Sequence, residues 1–228
     1  MTDNNRVILP SKVIPLNYKI ILTPDLKNFT FKGHVVINTI AKEKTAEVVL
    51  NAAELEIEKA EVSISDNSPY SADFSLDPEN ETFTIKLNES IIENTILDLD
   101  ITFTGVLNDR LLGFYRSKYV DPKGNEKYLA TTQFEATDAR RAFPCWDEPE
   151  RKATFDVTLI VPDELTALSN MDVEKETKLD NKTKKVIFNT TPIMSTYLLA
   201  FVVGDLACIE RKSQHGTLMR IWATKGNE

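Results

Sequence analysis

The sequence predicts an all-β fold, an antiparallel β-sandwich, and three observations carry that prediction. Apolar residues recur at every second position in run after run. The runs are short and separated by turn residues. Almost no stretch shows helical periodicity, apart from one turn at 137–142 that Thr137 or Asp138 is placed to cap.

Leu16, Tyr18, Ile20 and Leu22 alternate with Asn17, Lys19 and Ile21, a half-buried strand that Pro24-Asp25 ends. Phe29, Phe31, Val35 and Ile37 share one parity against Thr30, Lys32, His34 and Asn38, with Gly33 expected to mark a bulge. Ala46 to Leu50 is a short third strand. Leu55 and Ile57 are odd whereas Ala60, Val62 and Ile64 are even, so a register change is expected at Glu58-Lys59. Asn67-Ser68-Pro69 is a turn. Phe83, Ile85 and Leu87 form one further alternating run, and Leu97, Leu99, Ile101 and Phe103 a longer one closed by Gly105.

A long irregular loop, at about 128–152, interrupts this pattern. It crowds Gln133, Glu135, Asp138, Arg140, Arg141, Asp147, Glu148 and Glu150 among Phe134, Phe143 and Trp146. Pro144 and Pro149 fix φ on either side of Cys145-Trp146-Asp147-Glu148 and force an irregular path. Such a loop between clean strands holds a site or an interface.

Beyond it Ala153, Phe155, Val157, Leu159 and Val161 alternate again, and Pro162-Asp163 turns the chain. Val186 and Phe188 follow the polar tip Leu179-Asp180-Asn181-Lys182. Tyr197 to Val203 is unbroken apolar sequence, expected to be buried on both faces. Leu218 to Ala223 is a last strand, and Lys225-Gly226-Asn227-Glu228 reads as the start of a linker. No Gly/Ser-rich segment divides the chain, so one domain over 1–228 is expected.

A formal charge of −8 and an ordinary 42% hydrophobic content set the function classes. Nucleic acid and anionic membranes want a basic face, so neither is expected as a partner. MTDNNRVILPSKVIP has no basic segment followed by an apolar one, no apolar run spans a membrane, and a cytoplasmic location is expected. Cys145 and Cys208 then read as free thiols. The N-x-S/T triplets at Asn28, Asn80, Asn88, Asn181 and Asn189 carry no weight without secretion.

The two histidines, His34 and His215, belong to no metal-binding spacing, and no metal site is expected in this chain. His34 reads as solvated on a polar strand face, and His215 as a turn residue. There is no G-x-S-x-G, no G-x-x-x-x-G-K and no G-x-G-x-x-G, and Cys145 reads as a small apolar residue packed beside Trp146. No catalytic residue is therefore assigned.

TTQFEATDARRAFPCWDEP, with LNDRLLGFYRSKY upstream and LPSKVIPLNYKIILTPDL at the start, resembles the N-terminal domain of the zinc aminopeptidases of the puromycin-sensitive, aminopeptidase N and leukotriene hydrolase type. The resemblance covers nearly the whole chain. It implies a saddle-like β domain whose Q-x-E segment helps hold a substrate's α-ammonium: Glu135 would bind the amine and Gln133 would line the first side-chain pocket. It implies zinc in the parent enzyme, held by an H-E-x-x-H motif that this chain lacks along with G-A-M-E-N. The partners it implies are a peptide N-terminus and the missing catalytic domain, and the isolated chain is expected not to hydrolyse peptides.

Other readings stay open. Glu135 is equally placed in sequence to staple the loop by pairing with Arg140 or Arg141. Asp138, Arg140, Arg141, Asp147 and Glu148 read most simply as structural, and GFYRSKY as core and rim packing. The chain as a whole could instead be a stand-alone module that recognises a peptide terminus or a partner protein. An apolar patch left over from a missing neighbour would separate the two, since a free-living module has no reason to expose one.

Overall fold

The structure, a computed structural model, describes residues 8–65, 67–180 and 182–227. The first seven residues of the amino-terminal reading, Asn181 of the hairpin tip, and Glu228 lie outside the described residues.

The strands in chain order are β1 (Val13–Asp25), β2 (Thr30–Ala41), β3 (Thr45–Asn51), β4 (Leu55–Ile64), β5 (Tyr70–Ser71) and β6 (Phe74–Asp77). There follow β7 (Thr82–Ile91), β8 (Ile96–Val106), β9 (Gly113–Val120), β10 (Glu126–Gln133), β11 (Thr154–Pro162) and β12 (Thr166–Ser169). The last are β13 (Val173–Lys178), β14 (Thr183–Phe188), β15 (Phe201–Gly204), β16 (Leu206–Lys212) and β17 (Leu218–Thr224). They build an eight-stranded sheet in the order β13-β14-β11-β1-β2-β8-β4-β5, a four-stranded sheet β12-β15-β10-β9, a three-stranded sheet β3-β7-β6 and the pair β16-β17.

The fold is all-β and sandwich-like, as the alternation predicts. The inward parity of β1, β2, β8 and β11 is fully buried: Tyr18, Ile20, Leu22, Val35, Ile37, Leu99, Ile101, Phe155 and Leu159 are all in the core. Phe31 meets Phe114 of the four-stranded sheet edge-on at 5.2 Å, and Phe114 meets Phe201 at 4.9 Å. T-shaped ring pairs of this kind favour one relative placement of two packed layers.

Several details depart from expectation. Not every pair is antiparallel: β1 and β11 run parallel, Asn17 opposite Thr154 through Leu22 opposite Leu159. A parallel pair needs a long crossover, and more than a hundred residues separate these two strands. The first strand bulges, with a register shift between Pro15 and Asn17, so Leu16 points outward and is 40% exposed. Gly33 is not a bulge. It stays in register between Leu22 and Phe103, and a Cβ there would lie 2.2 Å from the Phe103 ring. Gly105, opposite Phe31, is the reciprocal case at 2.3 Å. Each glycine is the floor on which an aromatic ring from the next strand lies.

The expected register change is present, between Ile57 and Lys59. The run 197–203 is not one strand buried on both faces. Thr196–Leu198 is a 3-10 turn, and the strand of this run is β15 alone, with Phe201 and Val203 toward the core. The long loop begins later than read, because β10 continues to Gln133 paired with β9. β13 carries no apolar alternation at all, and β14 alone pairs with it.

Replacing Gly33 by Ala should therefore destabilise the chain by about 1–3 kcal/mol, the usual cost of overpacking a tight core. Urea unfolding measures it, and a neutral result would show that the Phe103 ring has room to move.

Candidate functional site

The loop from Phe134 to Ala153 is irregular yet largely buried. Phe134, Ala139, Ala142, Phe143, Cys145 and Trp146 are all core residues. Buried backbone needs hydrogen-bond partners outside a ladder, and here they come from distant segments. Asn51 exchanges two backbone bonds with Cys145, at 2.8 and 3.0 Å. Its side-chain Oδ1 accepts from the Asp147 N–H at 3.1 Å. The Tyr18 hydroxyl accepts from the Trp146 N–H at 3.1 Å. Glu148 accepts from the Leu9 N–H at 2.8 Å, and the Ser195 hydroxyl donates to the Pro149 carbonyl at 2.6 Å.

Two arginines finish the anchoring. Arg140 donates to Glu81 at 2.9 Å and to Asp147 at 3.1 Å. Arg141 donates to Glu81 at 2.8 Å, Glu54 at 2.7 Å and Asp138 at 2.8 Å. The planar guanidinium fork lets each arginine hold several carboxylates in fixed directions. Asp138 precedes the 3-10 turn Ala139–Arg141, but its side chain serves Arg141 and caps nothing. Gly113, with φ near +63°, opens β9 beneath this turn, where a Cβ would strike Arg141 Cβ at 2.7 Å.

Asp147 is only 3% exposed. Burial raises its pKa, and Arg140 opposes that rise, aided by the Thr196 hydroxyl, which donates at 3.0 Å. Burial, and then Asp147, push the Cys145 thiol well up, which keeps it protonated and unreactive. Cys145 and Cys208 are both free.

The expected site residues lie at the start of this loop. Gln133 is the last residue of β10, opposite Gly113, and is exposed. Its side-chain amide donates to the Glu135 carbonyl at 3.3 Å. Phe134 turns inward onto Phe143 and Phe201, at 6.1 and 5.8 Å. Glu135 turns outward, and the Glu135–Ala136 peptide is cis. Its carboxylate makes no hydrogen bond or ion pair among the described residues, so the staple to Arg140 or Arg141 is absent. Those arginines engage Glu54, Glu81, Asp138 and Asp147 instead. Sequence reasoning missed Asn51, Glu54 and Glu81, which sit at strand ends with no local pattern to mark them.

The other candidates are plain. His34 is half-buried and bonds Asp100 at 2.8 Å, and His215 lies in a turn. In GFYRSKY, Phe114 is core, and the Tyr119 hydroxyl donates to the Asp205 carbonyl at 3.5 Å. The zinc that the resemblance implies for the parent does not fit these residues. Among the described residues no three of His, Cys, Asp and Glu come together to hold a metal ion.

Cutting the Arg140–Asp147 link should be costly. Arg140→Leu leaves a buried unpaired carboxylate, with an expected loss of about 3–5 kcal/mol near neutral pH. A carboxyl whose folded pKa lies above its unfolded value binds more protons when folded, so stability rises as pH falls between the two values. Part of the loss should return when the pH is lowered from about 7 to about 5, as Asp147 takes up a proton. Urea unfolding at both pH values tests this, and a deficit equal at the two would contradict it.

The chain is similar to known proteins over nearly its whole length. The pattern described as the Peptidase M1 N-terminal domain matches residues 14–198. Aminopeptidase 2 of Candida albicans is 43% identical over 228 residues, covering 100% of this chain and 24% of the relative. Aminopeptidase 2, mitochondrial, of Saccharomyces cerevisiae is 45% identical over 98% of this chain and 23% of its own length. Puromycin-sensitive aminopeptidase of Caenorhabditis elegans is 44% identical over 96% and 23%. The chain thus spans about a quarter of the length of the curated relatives it matches. The family match covers most of the sequence, and the chain belongs to the Peptidase M1 N-terminal domain family.

Proposed function

We propose that residues 1–228 act as one substrate-anchoring unit of a zinc aminopeptidase, with Glu135 gripping the free α-ammonium of a peptide and Gln133 lining the place of its first side chain. One observation carries this reading. Glu135 is an exposed carboxylate with no partner among the described residues, at the lip of a loop whose other acidic groups are held by arginines. A carboxylate left open on a rigid support suits a charge-assisted bond to an ammonium group. The Gln133 amide, bonded to the Glu135 carbonyl, ties the two residues into one edge.

The chain contributes position, and the bond-breaking chemistry belongs to the rest of the parent. Zinc would there supply the activated water, and no residue of this chain is assigned to that step. The compartment we infer is the cytoplasm, in line with two free thiols, although one relative is named as mitochondrial. Among the described residues no helix is long and apolar enough to cross a membrane.

Two measurements test the proposal. The purified chain should release no fluorophore from aminoacyl-fluorogenic substrates and should bind no stoichiometric zinc. When this chain replaces the matching quarter of the Candida relative, Glu135→Ala should lower kcat/KM by roughly 10- to 100-fold, the worth of a hydrogen bond to a charged group. Gln133→Ala should act mainly through the identity of the first residue. An active hybrid indifferent to Glu135→Ala would remove the anchoring role.

A further inference from the structure

The β16–β17 hairpin stands apart from the rest of the molecule. It begins beyond residue 198, where the family match ends. It pairs with no other strand among the described residues, from Leu206 opposite Thr224 to Lys212 opposite Leu218. The buried core takes its last residue at Val203 and none from the hairpin. Its visible ties are at the base, where Lys225 pairs with Asp205 and Gly226 approaches Pro122.

Opposite residues on paired strands share a face, as do residues two apart. Ile209, Ile221 and Met219 therefore form one apolar face, and they are 45%, 72% and 51% exposed. Trp222 and Leu218 lie on the other face, also open to solvent. A two-stranded hairpin is marginal in water and needs a third strand or a packed layer. The two strands carry Arg211, Lys212 and Arg220 against one acid, Glu210, which Arg220 pairs at 3.2 Å, in a chain of net charge −8.

We propose that this hairpin is a docking element for the remaining polypeptide of the peptidase, which adds a strand or layer of apolar and acidic character to the Ile209–Met219–Ile221 face. The inference rests on the reading of the chain as one unit of a larger enzyme. The length of the relatives argues for that occupant, since about three quarters of each lies outside the matched segment. The basic side chains give the partner surface a charge, and the open edges of β16 and β17 give it a backbone to pair with.

The test compares one double substitution, Met219→Asp with Ile221→Asp, in two settings. In the isolated 228-residue chain it should leave the melting temperature within about 1 °C, because neither side chain is in the core. In the hybrid with the Candida relative it should lower the melting temperature by on the order of 5 °C and increase tryptic cleavage near the junction. An active wild-type hybrid that the substitution leaves unchanged overturns the docking inference alone. A wild-type hybrid that fails to fold or turn over overturns the larger-enzyme reading, and the inference with it. Sedimentation of the isolated chain should give a monomer. A dimer that the substitution dissolves would make a second copy the occupant and also overturn the proposal.

Discussion

A buried irregular segment survives only if its backbone and its charged groups find partners, and that constraint organises this molecule. The buried Trp146 indole N–H and Arg151 Nε of this segment make no hydrogen bond among the described residues. The middle of the loop, 139–148, passes through the core instead of over the surface. Asn51 and Tyr18 take its backbone N–H groups, Arg140, Thr196 and Leu9 serve its two buried carboxylates, Asp147 and Glu148, and Arg141 holds Asp138. These partners come from both ends of the chain and from the turn regions near Glu54 and Glu81. The loop can take up its shape only when the whole sandwich has assembled around it.

The same constraint accounts for the contrast among the acidic residues. Asp138 and Asp147 are taken up in holding the loop, together with Glu54 and Glu81 from outside it. Glu135 lies two residues past the end of β10, where Phe134 points inward and fixes the outward direction of its neighbour. Rigidity is thus supplied from below, by aromatic contacts and ion pairs, to a short stretch whose own side chains face solvent. A group that must meet a ligand in one orientation gains from such support, because less freedom is lost on binding.

Much of the fold was legible because the large sheet has one wet face and one dry face. Tyr18-Ile20-Leu22 and Leu97-Leu99-Ile101-Phe103 could be placed from parity alone, and the break at Glu58-Lys59 showed in the change from odd to even. β13 was silent because an edge strand held by a single neighbour needs no apolar parity. Gly33 misled because a bulge and a ring-bearing glycine look alike in one dimension, and only the Phe103 ring across the ladder tells them apart. At the site, residue types and crowding pointed to the loop. The full pairing did not follow, since Arg140 and Arg141 take not only the nearby Asp147 and Asp138 but also Glu81 and Glu54, 59 to 87 residues away.

The parallel alignment of β1 with β11 has a kinetic consequence. β1 sits mid-sheet, but one of its two neighbours is more than a hundred residues downstream. While the chain is being synthesised, one backbone edge of that strand must wait until residues past Pro162 have emerged. Contacts of such sequence separation make folding slow, and an apolar strand with an open edge is a template for wrong partners. Vectorial synthesis therefore leaves a long interval in which a newborn molecule depends on chaperones or dilution to avoid adding a stranger's strand where its own will later fit.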